Sequence, residues 1–162
     1  MAEAIAALTF ICCGALAVSC GGSPTAAAQT LTVTPLASFS SASHVFESET
    51  LDVLRDQTTW QTLWAQMNAN DSPPRPLPPV DFSKDMVVVA AVGAQATGGS
   101  RVSVDSASES LGVVTVEVTV ITPGPHCGLP TVITSPVAAA TLPMRTGPVT
   151  FHVNRRTVDC GS

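Results

Sequence analysis

Seven consecutive apolar residues, Met86-Val87-Val88-Val89-Ala90-Ala91-Val92, restrict the fold more than any other stretch of the chain. A β-strand shows alternate side chains to opposite faces, so a run without one polar residue must be covered on both sides. The cover for one face is legible upstream. Thr58-Thr59-Trp60-Gln61 has the Thr-x-x-Gln form of a capping box, and Trp60, Leu63, Trp64 and Met67 follow at i, i+3, i+4 and i+7. This spacing predicts a helix that begins at Thr58 and lays one apolar stripe on the sheet. A tryptophan stripe can also line a ligand site, but both tryptophans of the chain lie on this face, which fits a core. The helix cannot outlast Asn70, because Asp71-Ser72-Pro73-Pro74-Arg75-Pro76-Leu77-Pro78-Pro79 must run extended. That segment reads as a stiff connection, with a docking site for a proline-reading partner as the alternative.

The rest of the chain alternates. Arg101-Val102-Ser103-Val104-Asp105 and Val114-Thr115-Val116-Glu117-Val118-Thr119-Val120 bury their valines and wet the residues between. Leu31–Thr34 reads as a first strand and His44–Glu49 as a weak second. Thr131–Ala140 is interrupted by Pro136, which suits an edge. Val149–Val153 closes the domain with Val149, Phe151 and Val153 inward. Six to seven strands and one amphipathic helix predict a β-rich α+β domain, a twisted antiparallel sheet or sandwich.

Ahead of this domain, Ala4 to Ser19 carries no charge and has the length of a secretory h-region, short of the ~20 residues of a membrane span. Leu16-Ala17-Val18-Ser19-Cys20-Gly21-Gly22-Ser23 resembles the lipobox of bacterial lipoproteins. The expectation is cleavage before Cys20, acylation (palmitate included) of Cys20, and a lipid-anchored protein of the cell envelope, periplasmic or surface-exposed. Residues 1–19 are then the signal peptide, 20–30 a flexible tether of small and polar residues, and 31–162 a single domain. The n-region holds Glu3 and no Lys or Arg, and Ala17 stands where Leu or Val usually opens a lipobox. Cleavage without lipidation, or an uncleaved anchor, is the alternative.

Export agrees with the cysteines. Cys12 and Cys13 leave with the leader, and Cys127 and Cys160 remain as one pair that an oxidising envelope joins in a disulfide. Two free thiols or a metal pair is the competing reading, although no further ligand sits nearby at metal spacing. The net charge is −5, and the only cations are Lys84 and six dispersed arginines, so nucleic acid is not an expected partner.

Catalytic signatures are missing: no Gly-x-Ser-x-Gly, His-Glu-x-x-His, Cys-x-x-Cys, Gly-x-x-x-x-Gly-Lys or Gly-x-Gly-x-x-Gly occurs. His44 has no acidic neighbour at a suggestive spacing, and His152 falls on the outward side of the last strand. His126 adjoins Cys127, but sequence neighbours point apart and the cysteine has a disulfide partner. Asp81 and Asp85 bracket Phe82-Ser83-Lys84 as a turn and strand cap would, and a calcium site there would need more oxygen ligands. No catalytic residue, metal or cofactor is expected. One loop stands out, Gly93-Ala94-Gln95-Ala96-Thr97-Gly98-Gly99-Ser100, either a plain hairpin turn or an exposed tip that offers Thr97, Gly98, Gly99 and Ser100 to a partner.

The order of these features resembles the PrcB family. The resemblance rests on Trp60-x-x-Leu63-Trp64, Pro79-Val80-Asp81-Phe82-Ser83-Lys84-Asp85-Met86-Val87-Val88-Val89, Gly93 with Thr97-Gly98-Gly99, and the turn Pro123-Gly124-Pro125. It spans about Val45 to Val158. Where the family commonly has an aromatic residue after the glycine pair, this chain has Ser100. The resemblance implies a non-catalytic accessory subunit that binds and stabilises an envelope or secreted partner, a protease in the family's namesake complex. A protease inhibitor that inserts the Thr97–Ser100 loop into a cleft, as chagasin-type inhibitors do, is the second reading.

Overall fold

The computed structural model describes residues 27–41 and 45–160. Eight strands and one helix run in the order β1 (Gln29–Leu31), β2 (Thr34–Ser41), β3 (Thr50–Leu54), α1 (Gln57–Met67), β4 (Asp85–Ala91), β5 (Arg101–Ser110), β6 (Val113–Pro123), β7 (Ser135–Pro143) and β8 (Val149–Val158). They form a β-rich sandwich of two four-stranded sheets, ordered β1-β5-β6-β8 and β2-β7-β4-β3.

β4 behaves as its composition demands. Met86, Val88 and Ala90 face the sandwich interior, where they meet Val102, Val114, Val116, Val118, Val120, Ala138, Ala140 and Leu142. Val87, Val89 and Ala91 face the other way, against Trp60, Trp64 and Met67 of α1. All six of these β4 side chains are essentially inaccessible to water, and each large one contributes about 1.5–3 kcal/mol by burial.

The helix cap lies two residues earlier than the threonine pattern suggests. Asp56, not Thr58, is the N-cap: its carboxylate accepts from the Thr59 N–H at 2.8 Å and the Thr59 hydroxyl at 2.7 Å. These bonds hold its pKa below the ordinary carboxylate range. Beyond α1 the proline segment folds back on the stripe. Prolines lack an N–H, so such a segment is rich in unclaimed carbonyls. Trp60 Nε1 donates to the Pro78 carbonyl at 3.2 Å and Trp64 Nε1 to that of Arg75 at 3.1 Å. The Arg75 guanidinium lies 4.0 Å above the Phe39 ring, which meets Trp64 edge-on.

Three expectations are corrected. The weak strand at His44–Glu49 is not one: Val45–Glu49 is a turn with bends and the strand is β3, while His44 lies outside the described residues. β7 is not an edge but sits between β2 and β4. Pro136 is tolerated because it is the second residue of the strand, where its carbonyl accepts from Val92 N–H at 3.0 Å. The glycine loop is not a hairpin turn, since β4 and β5 belong to different sheets. Two features were unforeseen. Leu31 ends β1, and a separate strand, β2, opens at Thr34. β8 lies parallel to β6, because the chain crosses to the other sheet for β7 and returns from the same end.

Candidate functional site

The crossing loop lands at one end of the sandwich, against the long connection that follows β6. Gly93 makes the first bend at φ 85°, with its α-carbon so close to the backbone of Ser48 that an added methyl would lie 2.7 Å from the Ser48 carbonyl carbon. Gln95 and Thr134 exchange both backbone hydrogen bonds, at 2.7 and 2.9 Å. The Thr134 hydroxyl donates to the Thr97 carbonyl at 3.0 Å, and the Gly98 N–H to the Pro130 carbonyl at 3.3 Å. Gly98 is thereby buried, while Thr97 and Gly99 remain exposed and Ser100 half-buried. Gly99 is left-handed at φ 92° and packs between Leu129 and Pro123, either of which an added methyl would approach to 3.0 Å. Thr97, Gly98, Gly99 and Ser100 therefore do not stand free. They form one rim of a composite surface whose other rim is residues 123–134.

The second rim is fixed by the end of β8. Gly124 N–H donates to the Val158 carbonyl at 2.9 Å, and any side chain at Gly124 would collide with the Asp159 carboxylate. Cys127 and Cys160 are joined as a disulfide with α-carbons 4.9 Å apart. The Cys127 sulfur is therefore no thiolate for His126, whose Nδ1 instead lies 3.5 Å from Asp159 on the open surface. Between the rims is a shallow cleft of about 310 Å³ lined by Gly99, Arg101, Ile121, Pro123, Leu129 and Val158, with Cys160 at its margin.

Apolar exposure concentrates here. Among the described residues four large apolar side chains are exposed: Val132 (49%), Ile133 (62%) and Val158 (48%) at this end, and Leu111 (85%) at the other. Sequence reasoning placed Val132 and Ile133 in a strand over Thr131–Ala140; β7 opens only at Ser135, so the pair lies in the connection before it, set between Pro130 and Pro136. A larger cavity, about 410 Å³, lies between α1 and the proline segment. Its aromatic wall is Trp64, whose indole N–H is already committed to Arg75.

The titratable residues weighed from sequence are scattered. Asp81 accepts from the Ser83 hydroxyl at 2.5 Å and the Ser83 N–H at 3.1 Å, and pairs with Lys84 Nζ at 2.9 Å. The Ser83 hydroxyl first, then Lys84, hold its pKa down at about 2. Asp81 is a turn cap at the entry to β4. His152 is on the outer face of its sheet, 2.8 Å from Glu117, which also accepts from Asn154 at 3.0 Å. Among the described residues no three His, Cys, Asp or Glu side chains gather as a metal site would require, and no helix is long and apolar enough to cross a membrane. Cys20 lies outside the described residues.

Compared with known families, residues 86–143 match the family model described as PrcB C-terminal. The matched span is narrower than the resemblance read from the sequence. It runs from β4 to β7 and contains both rims of the cleft, but neither α1 nor β8. Comparison with curated proteins and with solved structures returns no match.

Proposed function

We propose, because residues 86–143 match the PrcB C-terminal family model, that this chain is a non-catalytic envelope protein, held to the membrane by lipid on Cys20. Its loop end binds and stabilises a partner, as an accessory subunit of a secreted protease complex does. The observation that carries the reading is the exposure of Val158 in the cleft and of Val132 and Ile133 on the connection that forms its second rim, with the two rims fastened to each other and to the disulfide. A surface that costs water contact and is rigid before binding loses little entropy on docking. The anchor is supported by the Leu16–Ser23 sequence, the tether by the small residues from Gly21 to Thr30.

About half of Val132 and Ile133 is still accessible, so covering both contributes about 2–3 kcal/mol, or roughly 30- to 150-fold in affinity. The test is capture of the partner from envelope extract by the mature protein and by a Val132→Glu/Ile133→Glu variant. Loss of the partner from the folded variant agrees with the proposal, and equal capture by both refutes it. The inhibitor reading draws on the exposed Thr97 and Gly99. Titration against papain-like and serine proteases separates the two, because a subunit leaves their activity unchanged at micromolar concentration.

A further inference from the structure

The fourth exposed apolar side chain is of a different kind. Leu111 is 85% exposed and sits with Gly112 in the two-residue turn between β5 and β6, where both residues are left-handed, at φ 52° and 77°. Two-residue hairpins ask for that geometry and take Asn or Asp at the first position, since a branched apolar side chain there is strained. Leucine at this position is unfavourable twice, by backbone conformation and by exposure, and asparagine would relieve both.

The register says what this tip lies beside. β1 pairs with the last residues of β5, Gln29 opposite Glu109 and Leu31 opposite Ala107. The chain therefore enters the domain two residues, or about 7 Å, from Leu111. Gln29 follows Cys20 by only nine positions, a reach of at most about 30 Å. Beside the turn, Arg55 donates to the carbonyls of Arg145 and Gly147 at 2.9 and 3.0 Å, and Gly147 packs directly on the Gly112 carbonyl. Arg145 also pairs with Glu109, at 2.6 Å, so Arg55 is the cation left in excess beside the apolar tip, a pairing that suits a lipid headgroup region. The cleft lies at the opposite end of β5, ten residues or about 30 Å away.

We infer that Leu111 enters the lipid surface to which Cys20 is attached, so that the hairpin tip sets the domain upright with Val132, Ile133 and the cleft facing away from the membrane. The inference rests on the lipid anchor. A lone leucine is too small to hold a protein on a membrane, but beside a tethering lipid it only has to choose an orientation.

The test uses the mature lipidated protein in phosphatidylethanolamine/phosphatidylglycerol vesicles, with an environment-sensitive fluorophore on Leu111→Cys or, as the control, on Val132→Cys. Flotation with the vesicles reports the anchor. A blue-shifted, at least twofold brighter emission quenched by brominated lipid at position 111, and none at 132, supports the inference. Flotation with a wet probe at 111 overturns it and leaves the anchor standing, even if a protein partner later shields that probe. Failure to float overturns both. Leu111→Asn adds a readout that a structural leucine would not give: a raised thermal midpoint, together with greater accessibility of nearby groups on the vesicle.

Discussion

Replacing Trp60 by alanine tests whether the helix and the central strand depend on each other as the packing indicates. The side chain is fully buried, its ring centroid lies 5.2 Å from that of Trp64, and its indole N–H is bonded to Pro78. Truncating a buried tryptophan costs about 3–5 kcal/mol. The lost ring pair and the unmatched carbonyl add about 1 kcal/mol. For a domain of this size a loss of about 4–6 kcal/mol lowers the thermal midpoint by roughly 12–25 °C. Trp60→Phe keeps most of the volume and gives up the Pro78 bond, so a loss of about 1–2 kcal/mol is expected. Urea unfolding followed by far-ultraviolet circular dichroism measures both. A Trp60→Ala loss below about 1.5 kcal/mol at unchanged m-value would refute the packing argument, because the cover on Val87 and Val89 would then be dispensable.

Other perturbations separate individual features. Gly93→Ala is expected to cost about 2–4 kcal/mol, and Gly112→Ala about 1 kcal/mol. Both are left-handed, but only Gly93 has backbone in the way of a methyl; denaturant midpoints of the two variants check the order. Reducing the Cys127–Cys160 bond opens a 33-residue separation, for which the chain-entropy relation gives about 3–4 kcal/mol. Calorimetry with and without reductant measures it, and hydrogen exchange should show the end of β8 loosening first. For Asp81, a pKa held at about 2 in the folded state means the stabilisation is present above the unfolded value, about 3.9, and is lost as pH falls towards 2. Thermal midpoints of wild type and Asp81→Asn should therefore differ at neutral pH and converge between about pH 4 and pH 2.

How far the sequence could be read depends on what each pattern encodes. The two-sided burial of Met86–Ala91 and its cover by Trp60 and Trp64 were legible because period and composition fix which faces must be dry. Strand partners were not, since alternation says nothing about the neighbour. The glycine loop therefore read as a hairpin although it joins two sheets, and Pro136 suggested an edge although β7 is central. β2 escaped notice because it is rich in serine and carries a register shift between Pro35 and Ala37. The extra residue in β5, Asp105, accepts from Ser103 and Thr119 and resets the alternation so that Ala107 points inward. Asp56 and Thr58 both satisfy capping rules, and only the geometry at Thr59 selects the aspartate. At the candidate site the glycines were visible as a feature, but the surface they share with Leu129, Val132, Ile133 and Val158 depends on contacts distant in sequence.

The docking reading is tested most directly by position-specific photo-crosslinking in intact cells. A benzophenone side chain is placed at Ile133, at Thr115 on the outer face of β6, or at Leu111. One discrete protein adduct is expected from Ile133 and none from Thr115 or Leu111. A protein adduct from Thr115 with none from Ile133, in protein shown to be folded, would contradict it.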